Sequence, residues 1–479
     1  MSNRVFNVLV VEDDKELSSF IENTFHSKFQ QVNVVKTFSR NAAFEILDSE
    51  AFFDYVTLDL SIPDIDGSFD TDASNGLAVL GKITEVSSGT PVLVLTGTST
   101  VDMIQDFLSH SNLTDVWGSG NKRGTIEHLT KARIGDLTDK IHQISQDFSS
   151  ALDVELVTGT LTLPIKHDRL LRVFINSLDA SVGSIRQIGG GLSSAQVYSV
   201  HIQDTTGRTL HLAICKCGPK EDINCDAQNY HSYINRLKPD ATPRILGYLE
   251  YSAGDNSGVF YGLAENYDAS FFKASLQNEL NEKLMQSIKQ MLAPWHQNII
   301  QNKKLIREIR AQLVSDATAE RLIKEFGLTE ALAFEERTVI CKTSCTHGDF
   351  HGENILLDIP SQKATLIDYG DVCEGVSIID PLTLECSFLF HPKTSGALSG
   401  WPTETNLEKW EDLDTYVEGC PIKDSIVFCR NWAAELGVGN RELAACLYAY
   451  ALRQLKYEGT NKEYAISLIN TAYRLYQQS

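Results

Sequence analysis

Apolar runs of strand length alternate with helix-like patterns along roughly the first 145 residues. In the helix-like segments, apolar residues recur three or four positions apart. The predicted strands are residues 5–11, 32–35, 55–58, 92–95 and 115–117, and the predicted helices are 14–28, 39–50, 75–86, 99–110 and 125–142. Strands that alternate with helices favour a doubly wound parallel sheet with helices on both faces. We therefore expect an α/β domain over residues 1–145.

The pattern changes after a connecting segment at 146–180. Strand-like runs follow one another over a small sheet-rich region at 181–268, and helical spacing dominates 269–479, which predicts an α+β domain with two lobes. The predicted strands are 184–188, 195–203, 209–216 and 259–265, with a hairpin at 355–357 and 364–367. The predicted helices are 169–178, 224–237, 275–291, 298–313, 317–326, 425–436, 440–457 and 462–477.

Composition narrows the class of protein. The formal net charge of −21 argues against a nucleic-acid partner, because binding to phosphate backbones requires basic surface. The apolar runs are too short for a membrane span. All ten cysteines lie after residue 214 without a C-x-x-C pair, which favours buried reduced thiols over a zinc site or a disulfide framework. We expect a cytoplasmic protein that binds neither membranes nor nucleic acids.

Candidate chemistry in the first domain lies at the ends of the predicted strands. Glu12 and Asp13 follow the first strand, Asp59 follows the third, and Thr96 follows the fourth. The carboxyl ends of parallel strands share one edge of a sheet, so these groups should converge. Three carboxylates at one place repel one another unless a cation neutralises them. A Mg²⁺ site beside a carboxylate suited to forming an aspartyl phosphate is therefore predicted.

The segments VLVVEDD, LDLSIPDIDG and VLVLTG resemble the receiver domain of two-component response regulators. The resemblance implies that Glu12 and Asp13 form the acid pocket, that Asp59 is the phosphoacceptor and that Thr96 is the switch hydroxyl. It also implies an upstream histidine kinase or another phosphodonor as partner. Two departures stand out: residues 68–75 form an insertion, and Ser119 occupies the place of the family's lysine after the fifth strand, with Lys122 three residues further on.

The chain is organised around THGDFHGENILLDIPSQKATLIDYGD, residues 346–371. Two short apolar runs flank a turn-like segment and predict a β-hairpin. Asn354 enters the first strand and Asp368 leaves the second, so antiparallel pairing should place both at one end, beside the loop of Asp349. Three oxygen-bearing groups at an open end suit an octahedral Mg²⁺ and a nucleotide phosphate tail.

This stretch resembles the H-G-D-x-H-x-x-N loop of the aminoglycoside phosphotransferase and choline kinase-like family, and Asp368-Tyr369-Gly370 matches the D-F-G position. The resemblance implies ATP and Mg²⁺ as cofactors, with Asn354 and Asp368 as metal ligands. Asp349 would orient the acceptor hydroxyl and accept its proton. His347 and His351 would brace the catalytic loop, and Asp380 would fix the loop to a helix.

Residues for nucleotide binding are expected upstream. Backbone N–H groups in a glycine-rich turn can approach phosphates closely, and nearby hydroxyls add donors. Lys216 lies in an otherwise apolar strand and needs an anionic partner. The candidates are Gly189, Gly190, Gly191, Ser193, Ser194 and Lys216, followed by Glu265 and Tyr267 at a hinge. The acid that should pair with the lysine is doubtful, because the predicted helix 224–237 offers Asp226 only in its first turn.

Two functions remain open from sequence. The first is an ATP-dependent phosphotransferase that acts on a hydroxyl-bearing substrate and is modulated by the receiver. The second is a non-catalytic signalling adaptor with a degenerate receiver and a nucleotide-binding pseudokinase. The intact loop from His347 to Asn354 favours the enzyme, whereas the missing lysine and the doubtful helix acid favour the adaptor.

Overall fold

The computed structural model describes residues 4–97, 103–109, 111–188, 195–239, 241–263 and 266–479. The chain forms two compact units, the first of Met1–Asn224 and Ile245–Leu263 and the second of Cys225–Arg244 and Ala264–Ser479. The first unit therefore joins the N-terminal α/β domain to the mixed six-stranded sheet that follows it. The domain boundaries expected at residues 145 and 180 stay predictions.

The first part of unit 1 alternates strands with helices, as its apolar pattern predicts. Its elements are β1 (Phe6–Val11), α1 (Lys15–Lys28), β2 (Val32–Thr37), α2 (Arg40–Leu47), β3 (Tyr55–Asp59), β4 (Ile62–Pro63), β5 (Thr71–Asp72), α3 (Ala73–Val86), β6 (Val92–Thr96), α4 (Gln105–Ser109), β7 (Leu113–Thr114), β8 (Arg123–Gly124), β9 (Ile126–Thr130), a 3-10 helix (Lys131–Asp136) and α5 (Leu137–Asp153). Five strands form a parallel sheet in the order β2-β1-β3-β6-β9. Buried apolar clusters cover both faces, so the predicted α/β fold is confirmed.

The fifth strand of this sheet is not the one that the sequence predicts. Residues 115–117 lie in the loop between β7 and β8, and the true fifth strand, β9, falls inside the predicted helix 125–142. Trp117 is buried in the apolar core against Phe6 and Phe148, which explains its strand-like apolar run. Tertiary packing, rather than strand pairing, accounts for that pattern.

The second part of unit 1 is a six-stranded sheet with a packed helix. Its elements are β10 (Glu155–Val157), α6 (Ile165–Ser177), β11 (Val182–Gln187), β12 (Gln196–Gln203), β13 (Thr209–Pro219), the start of α7 (Lys220–Ser232), β14 (Arg244–Leu249) and β15 (Asn256–Leu263). The rest of α7, from Cys225 on, and the 3-10 helix that follows it (Ile234–Arg236) belong to unit 2. The strand order is β10-β11-β12-β13-β15-β14. The connecting segment supplies both the edge strand β10 and helix α6, whose Phe174 ring stacks on Phe260 at 3.7 Å.

Unit 2 is mainly helical, with two three-stranded antiparallel sheets. Its elements are β16 (Ala269–Ser270), α8 (Phe271–Leu276), α9 (Glu282–Leu292), β17 (Ile300–Leu305), α10 (Ile306–Arg310), α11 (Asp316–Glu325), α12 (Ala331–Glu335), β18 (Thr338–Thr346), β19 (Ile355–Asp358), β20 (Lys363–Leu366), β21 (Cys373–Val376), α13 (Ile379–Phe390), α14 (Pro392–Ser395), α15 (Glu404–Glu408), α16 (Leu413–Tyr416), α17 (Lys423–Leu436), α18 (Asn440–Leu455) and α19 (Lys462–Gln477). The sheet orders are β16-β19-β20 and β17-β18-β21. The predicted hairpin is confirmed as β19 and β20.

Two helices predicted for unit 2 are wrong in part. The segment 298–313 begins as strand β17, which pairs with β18, and becomes helical only at α10. The segment 275–291 is broken between α8 and α9, where Asn278 adopts a left-handed backbone with φ 55°. In the first case a strand distant in sequence overrides the local helical spacing, because pairing and burial depend on context.

Among the described residues, none of the helices combines the length and the apolar character needed to cross a bilayer.

Candidate functional site

Three carboxylates meet at the carboxyl end of the parallel sheet. Glu12 follows β1 and Asp59 ends β3, and the parallel register brings both to one edge. The ligand oxygens of Glu12, Asp13 and Asp59 lie within 4.8 Å of one another. Thr96 ends the neighbouring strand β6, and its hydroxyl donates to the Gly97 carbonyl at 3.1 Å. The structure therefore brings together the four residues that the sequence assigns to this site.

A lysine completes this acid pocket. Lys131 follows β9 directly, and its Nζ donates to Asp59 Oδ2 at 2.8 Å and to Glu12 Oε1 at 3.0 Å. The expectation that the family's lysine after the fifth strand is missing is wrong. The error arose because the sequence prediction misplaced the fifth strand. Ser119 instead lies in the loop after β7, where its N–H donates to Asp115 Oδ1 at 3.0 Å.

The electrostatics of the pocket follow from burial and repulsion between like charges. Burial and then the charge of Asp59 raise the pKa of Glu12 to about 7, against the opposing effect of Lys131. Burial and Asp59 also raise the pKa of Asp13. Burial lowers the pKa of Lys131, but the carboxylates of Asp59 and Glu12 outweigh it and raise the pKa overall. The lysine therefore stays charged beside Asp59.

The donor set of the pocket fits a divalent cation. The buried Glu12 Oε2 has no hydrogen-bond partner within the described part of the chain. Mg²⁺ prefers hard oxygen ligands and binds proteins through one or a few carboxylates. Glu12, Asp13 and Asp59 would hold such an ion, which would offset the repulsion between their carboxylates.

In unit 2, the loop between β18 and β19 carries Asp349. The His351 N–H and the Asn354 Nδ2 both donate to the Asp349 carbonyl at 2.9 Å, and the Asn354 N–H donates to the His351 carbonyl at 3.0 Å. These bonds form a tight turn that fixes the backbone of Asp349. Its side chain is 30% exposed, so a ligand can reach the carboxylate.

The open end of the hairpin carries Asn354 and Asp368, as predicted. Ile355 pairs with Leu366, and the Ile367 N–H donates to the Asn354 carbonyl at 3.1 Å, so Asp368 leaves the hairpin beside Asn354. Asp368 has a φ of 65° in the left-handed region, which side-chain-bearing residues adopt at a cost. Such strain persists where surrounding structure enforces it, often at functional sites.

Asp380 and His347 contact the loop that carries Asp349 and its surroundings. The buried carboxylate of Asp380 accepts hydrogen bonds from the N–H groups of His347 at 2.8 Å and Gly348 at 3.1 Å. Burial raises the pKa of Asp380 to about 6, although His347 and these N–H donors oppose the shift. His347 Nε2 lies 3.2 Å from the Ile367 carbonyl, which links the loop to the strand before Asp368.

This region is also contacted by two residues that were not predicted from the sequence. Arg453, on α18, lies 3.2 Å from Asp349 Oδ1. Asn229, on α7, donates through Nδ2 to the carbonyls of Tyr369 and Gly370, both at 2.9 Å. Arg453 interrupts an otherwise apolar helical face, and that was a usable signal, because a charge on a buried face needs a partner.

The candidates for nucleotide binding are only partly described. Gly189, Gly190, Gly191, Ser193, Ser194 and Glu265 lie outside the described residues. Lys216 is buried on β13 in unit 1, between Val197 of β12 and Val259 of β15. Tyr267 is half-buried in unit 2, just before β16. Their roles in binding a nucleotide stay predictions.

Helix α7 begins earlier than the sequence suggests. It starts at Lys220 rather than near residue 224, so Asp226 lies in its second turn instead of its first. The Asp226 side chain is fully buried. The helix therefore carries an acid well inside its length, and its pairing with Lys216 stays a prediction.

Residues 8–115 match the family model "Response regulator receiver domain". A phosphorylated cyanobacterial phytochrome response regulator covers 33% of this chain and 98% of its own, at 21% identity and TM-score 0.23. A microcompartment-associated aminopropanol kinase covers 61% and 90%, at 14% identity and TM-score 0.32. An aminoglycoside-3'-phosphotransferase of type VIII covers 52% and 93%, at 14% identity and TM-score 0.28. No curated protein sequence matches the chain.

Proposed function

We propose that the chain is an ATP-dependent phosphotransferase that acts on a hydroxyl-bearing acceptor and that its N-terminal receiver modulates this activity. The observation that carries the proposal is the open end of the β19–β20 hairpin. There Asn354 enters β19 and Asp368 follows β20 at the same end, and Asn354 is hydrogen-bonded to the backbone of Asp349. Phosphoryl transfer needs positioning and charge neutralisation more than covalent chemistry, and these groups supply both.

Each residue has a defined part in the proposed reaction. Asp349 orients the acceptor hydroxyl and accepts its proton. Asn354 and Asp368 are the ligands for Mg²⁺, which supplies charge neutralisation at the nucleotide phosphates. Lys216 binds the α- and β-phosphates, as predicted from sequence. His347 and His351 brace the loop.

Asp349→Asn tests the catalytic part. It should lower Mg²⁺-dependent ATP turnover by about 10²-fold or more, because it removes the base without changing the size of the side chain. Steady-state ADP release is the measurement. Asp358→Asn is a matched control at the other end of β19, where the side chain only caps a turn by accepting from the Ser361 N–H at 3.0 Å. Equal activity of the Asp349→Asn and wild-type proteins would overturn the proposal.

The adaptor alternative loses one of the two observations that favoured it. Lys131 fills the place of the receiver lysine that the sequence left vacant, whereas the acid partner of Lys216 stays a prediction. The adaptor would be favoured again if the wild-type chain bound MgATP without turning it over.

The first unit supports modulation by the receiver, because one helix belongs to two cores. Val173 of α6 lies in the apolar cluster of the receiver, whereas Leu170 and Phe174 lie in the cluster of the β10–β15 sheet. Asn176, on the same helix, donates to the Trp117 carbonyl at 3.0 Å and to Ser150 Oγ at 2.9 Å. A repacking of the receiver core would therefore change the packing of α6 directly.

A second contact joins the receiver to the start of α7. The Gly89 N–H donates to the Gly254 carbonyl at 2.7 Å, and the Ser252 N–H donates to the Gly89 carbonyl at 2.9 Å. In the same turn, the Asp255 carbonyl accepts from the N–H of Lys220, the first residue of α7, at 3.0 Å. The receiver thus contacts the turn that holds the helix bearing Asp226, which offers a route for a two-state switch.

Acetyl phosphate tests the regulatory part. Phosphorylation of Asp59 should change ATP turnover by about fivefold or more, a typical coupling between sites. Lys131→Met should abolish this response because it removes the ammonium group 2.8 Å from Asp59, whereas Lys122→Met should keep it. Phosphoprotein gels and ADP release report the two steps. An unchanged response in Asp59→Asn protein would contradict the assignment.

A further inference from the structure

The side chain of Arg453 contacts the catalytic loop from the last turn of α18. Its guanidinium lies 3.2 Å from Asp349 Oδ1 and donates to the Gly348 carbonyl at 3.3 Å and, through Nε, to the Tyr457 hydroxyl at 3.1 Å. Asp371 Oδ2 lies 3.9 Å away. The side chain of Arg453 is only 14% exposed. A mostly buried arginine that contacts both the backbone and the carboxylate of one loop restricts the orientation of that carboxylate.

The local backbone makes this contact specific. Gly348 has a φ of 78°, and a Cβ at this position would lie 2.4 Å from the Asp371 carbonyl. The loop that carries Asp349 therefore packs directly against the segment that follows Asp368. Arg453 contacts both segments, so one guanidinium links the loop of the base to the segment of a proposed metal ligand.

We propose that Arg453 is a positioning residue for Asp349. This inference rests on the proposed function. In the transfer, a bond forms between the acceptor oxygen and the γ-phosphorus, and the bond from that phosphorus to the β–γ bridging oxygen breaks. The electron pair of the broken bond leaves with ADP, and the hydroxyl proton passes to the Asp349 carboxylate. Arg453 holds Oδ1 in place, while His351 Nε2 lies 3.6 Å from Oδ2.

A positive charge beside the base suits this kind of reaction. A neighbouring cation makes a carboxylate less basic, which would slow a reaction that begins with removal of a proton. The transition state of phosphoryl transfer is loose, and nucleophilic help from the acceptor is small. Orientation of the hydroxyl then matters more than the basicity of Asp349, and misplacement of a reacting group by about 1 Å can cost about 10²-fold.

Arg453→Met in the full chain tests the inference, with ATP hydrolysis by water as the reaction. We expect kcat to fall by about 10²-fold while KM for MgATP changes by less than about threefold, because the nucleotide phosphates are held by other groups. Arg453→Lys should restore part of kcat because it returns a charge near Oδ1. Arg441→Met, on the exposed face of the same helix, is the control and should match wild type.

The outcomes separate the two proposals. If the wild-type chain turns over ATP and Arg453→Met has the same kcat, the positioning role is overturned and the proposed function stands. A lowered kcat in Arg453→Met that Arg453→Lys does not raise, together with a lower melting temperature, would assign Arg453 a structural role only. An absence of Mg²⁺-dependent hydrolysis in the wild-type chain would overturn the proposed function and this inference with it.

Discussion

Asp368→Ala is expected to abolish Mg²⁺-dependent ATP turnover, with a loss of about 10³-fold or more. The proposed metal ligand is removed, and an ion held by Asn354 alone would not neutralise the nucleotide phosphates. Nucleotide affinity in the presence of Mg²⁺ should fall as well, and should become insensitive to added Mg²⁺. Titration calorimetry with and without EDTA measures this second effect.

The backbone of Asp368 calls for a second variant. Its φ of 65° suits asparagine and glycine better than alanine, so Asp368→Ala adds strain to the loss of the carboxylate. Asp368→Asn keeps the left-handed preference and the size of the side chain but removes the charge. Asp368→Asn should therefore match Asp368→Ala in turnover while unfolding at a higher temperature. Unchanged turnover in Asp368→Asn would remove the metal assignment.

Arg169→Met is expected to destabilise the first unit by about 3–5 kcal/mol, the usual cost of breaking a buried ion pair by removing one partner. Arg169, on α6, donates through Nε to Asp54 Oδ1 at 2.6 Å and through Nη2 to the Val5 carbonyl at 2.7 Å. Arg169 and Asp54 are both 1% exposed. The variant would leave the Asp54 carboxylate buried without its cation.

Urea unfolding of the full chain measures this loss, and a double variant provides the control. Arg169→Met combined with Asp54→Asn removes both charges of this pair, so it should recover much of the stability. The receiver and the β10–β15 sheet should unfold in one transition, because α6 packs in the cores of both. If the receiver and the β10–β15 sheet unfold in separate transitions, and the midpoints are the same in wild type and in Arg169→Met, the Arg169–Asp54 ion pair does not couple the two parts.

The sequence predicts the positions of the acid pocket and of the β19–β20 hairpin well because short motifs define both. Glu12, Asp59 and Thr96 follow apolar strands directly, so the parallel register alone places them together. Likewise, Asn354 and Asp368 flank a single short hairpin, and local pairing fixes their relative position.

The errors arise where distant contacts decide the structure. Trp117 fills a core, and its apolar neighbours therefore resemble a strand. The edge strand β9 contains Glu127 and His128, so its sequence lacks the apolar run of a buried strand. Because the fifth strand was misplaced in the sequence prediction, Lys131 was not identified as a site residue. Arg453 lies 104 positions after Asp349, and no local pattern links such distant residues.

The double packing of α6 has a consequence for protein engineering. A foreign receiver grafted in place of residues 1–145 would remove the Asp54 carboxylate. The Arg169 guanidinium would then be buried without its ion-pair partner. A graft extended through Ser177 would instead remove Phe174, the partner of Phe260. Exchange of the receiver in this protein therefore requires compensating substitutions where α6 packs against it. In chains that share this architecture, positions 54 and 169 should vary together.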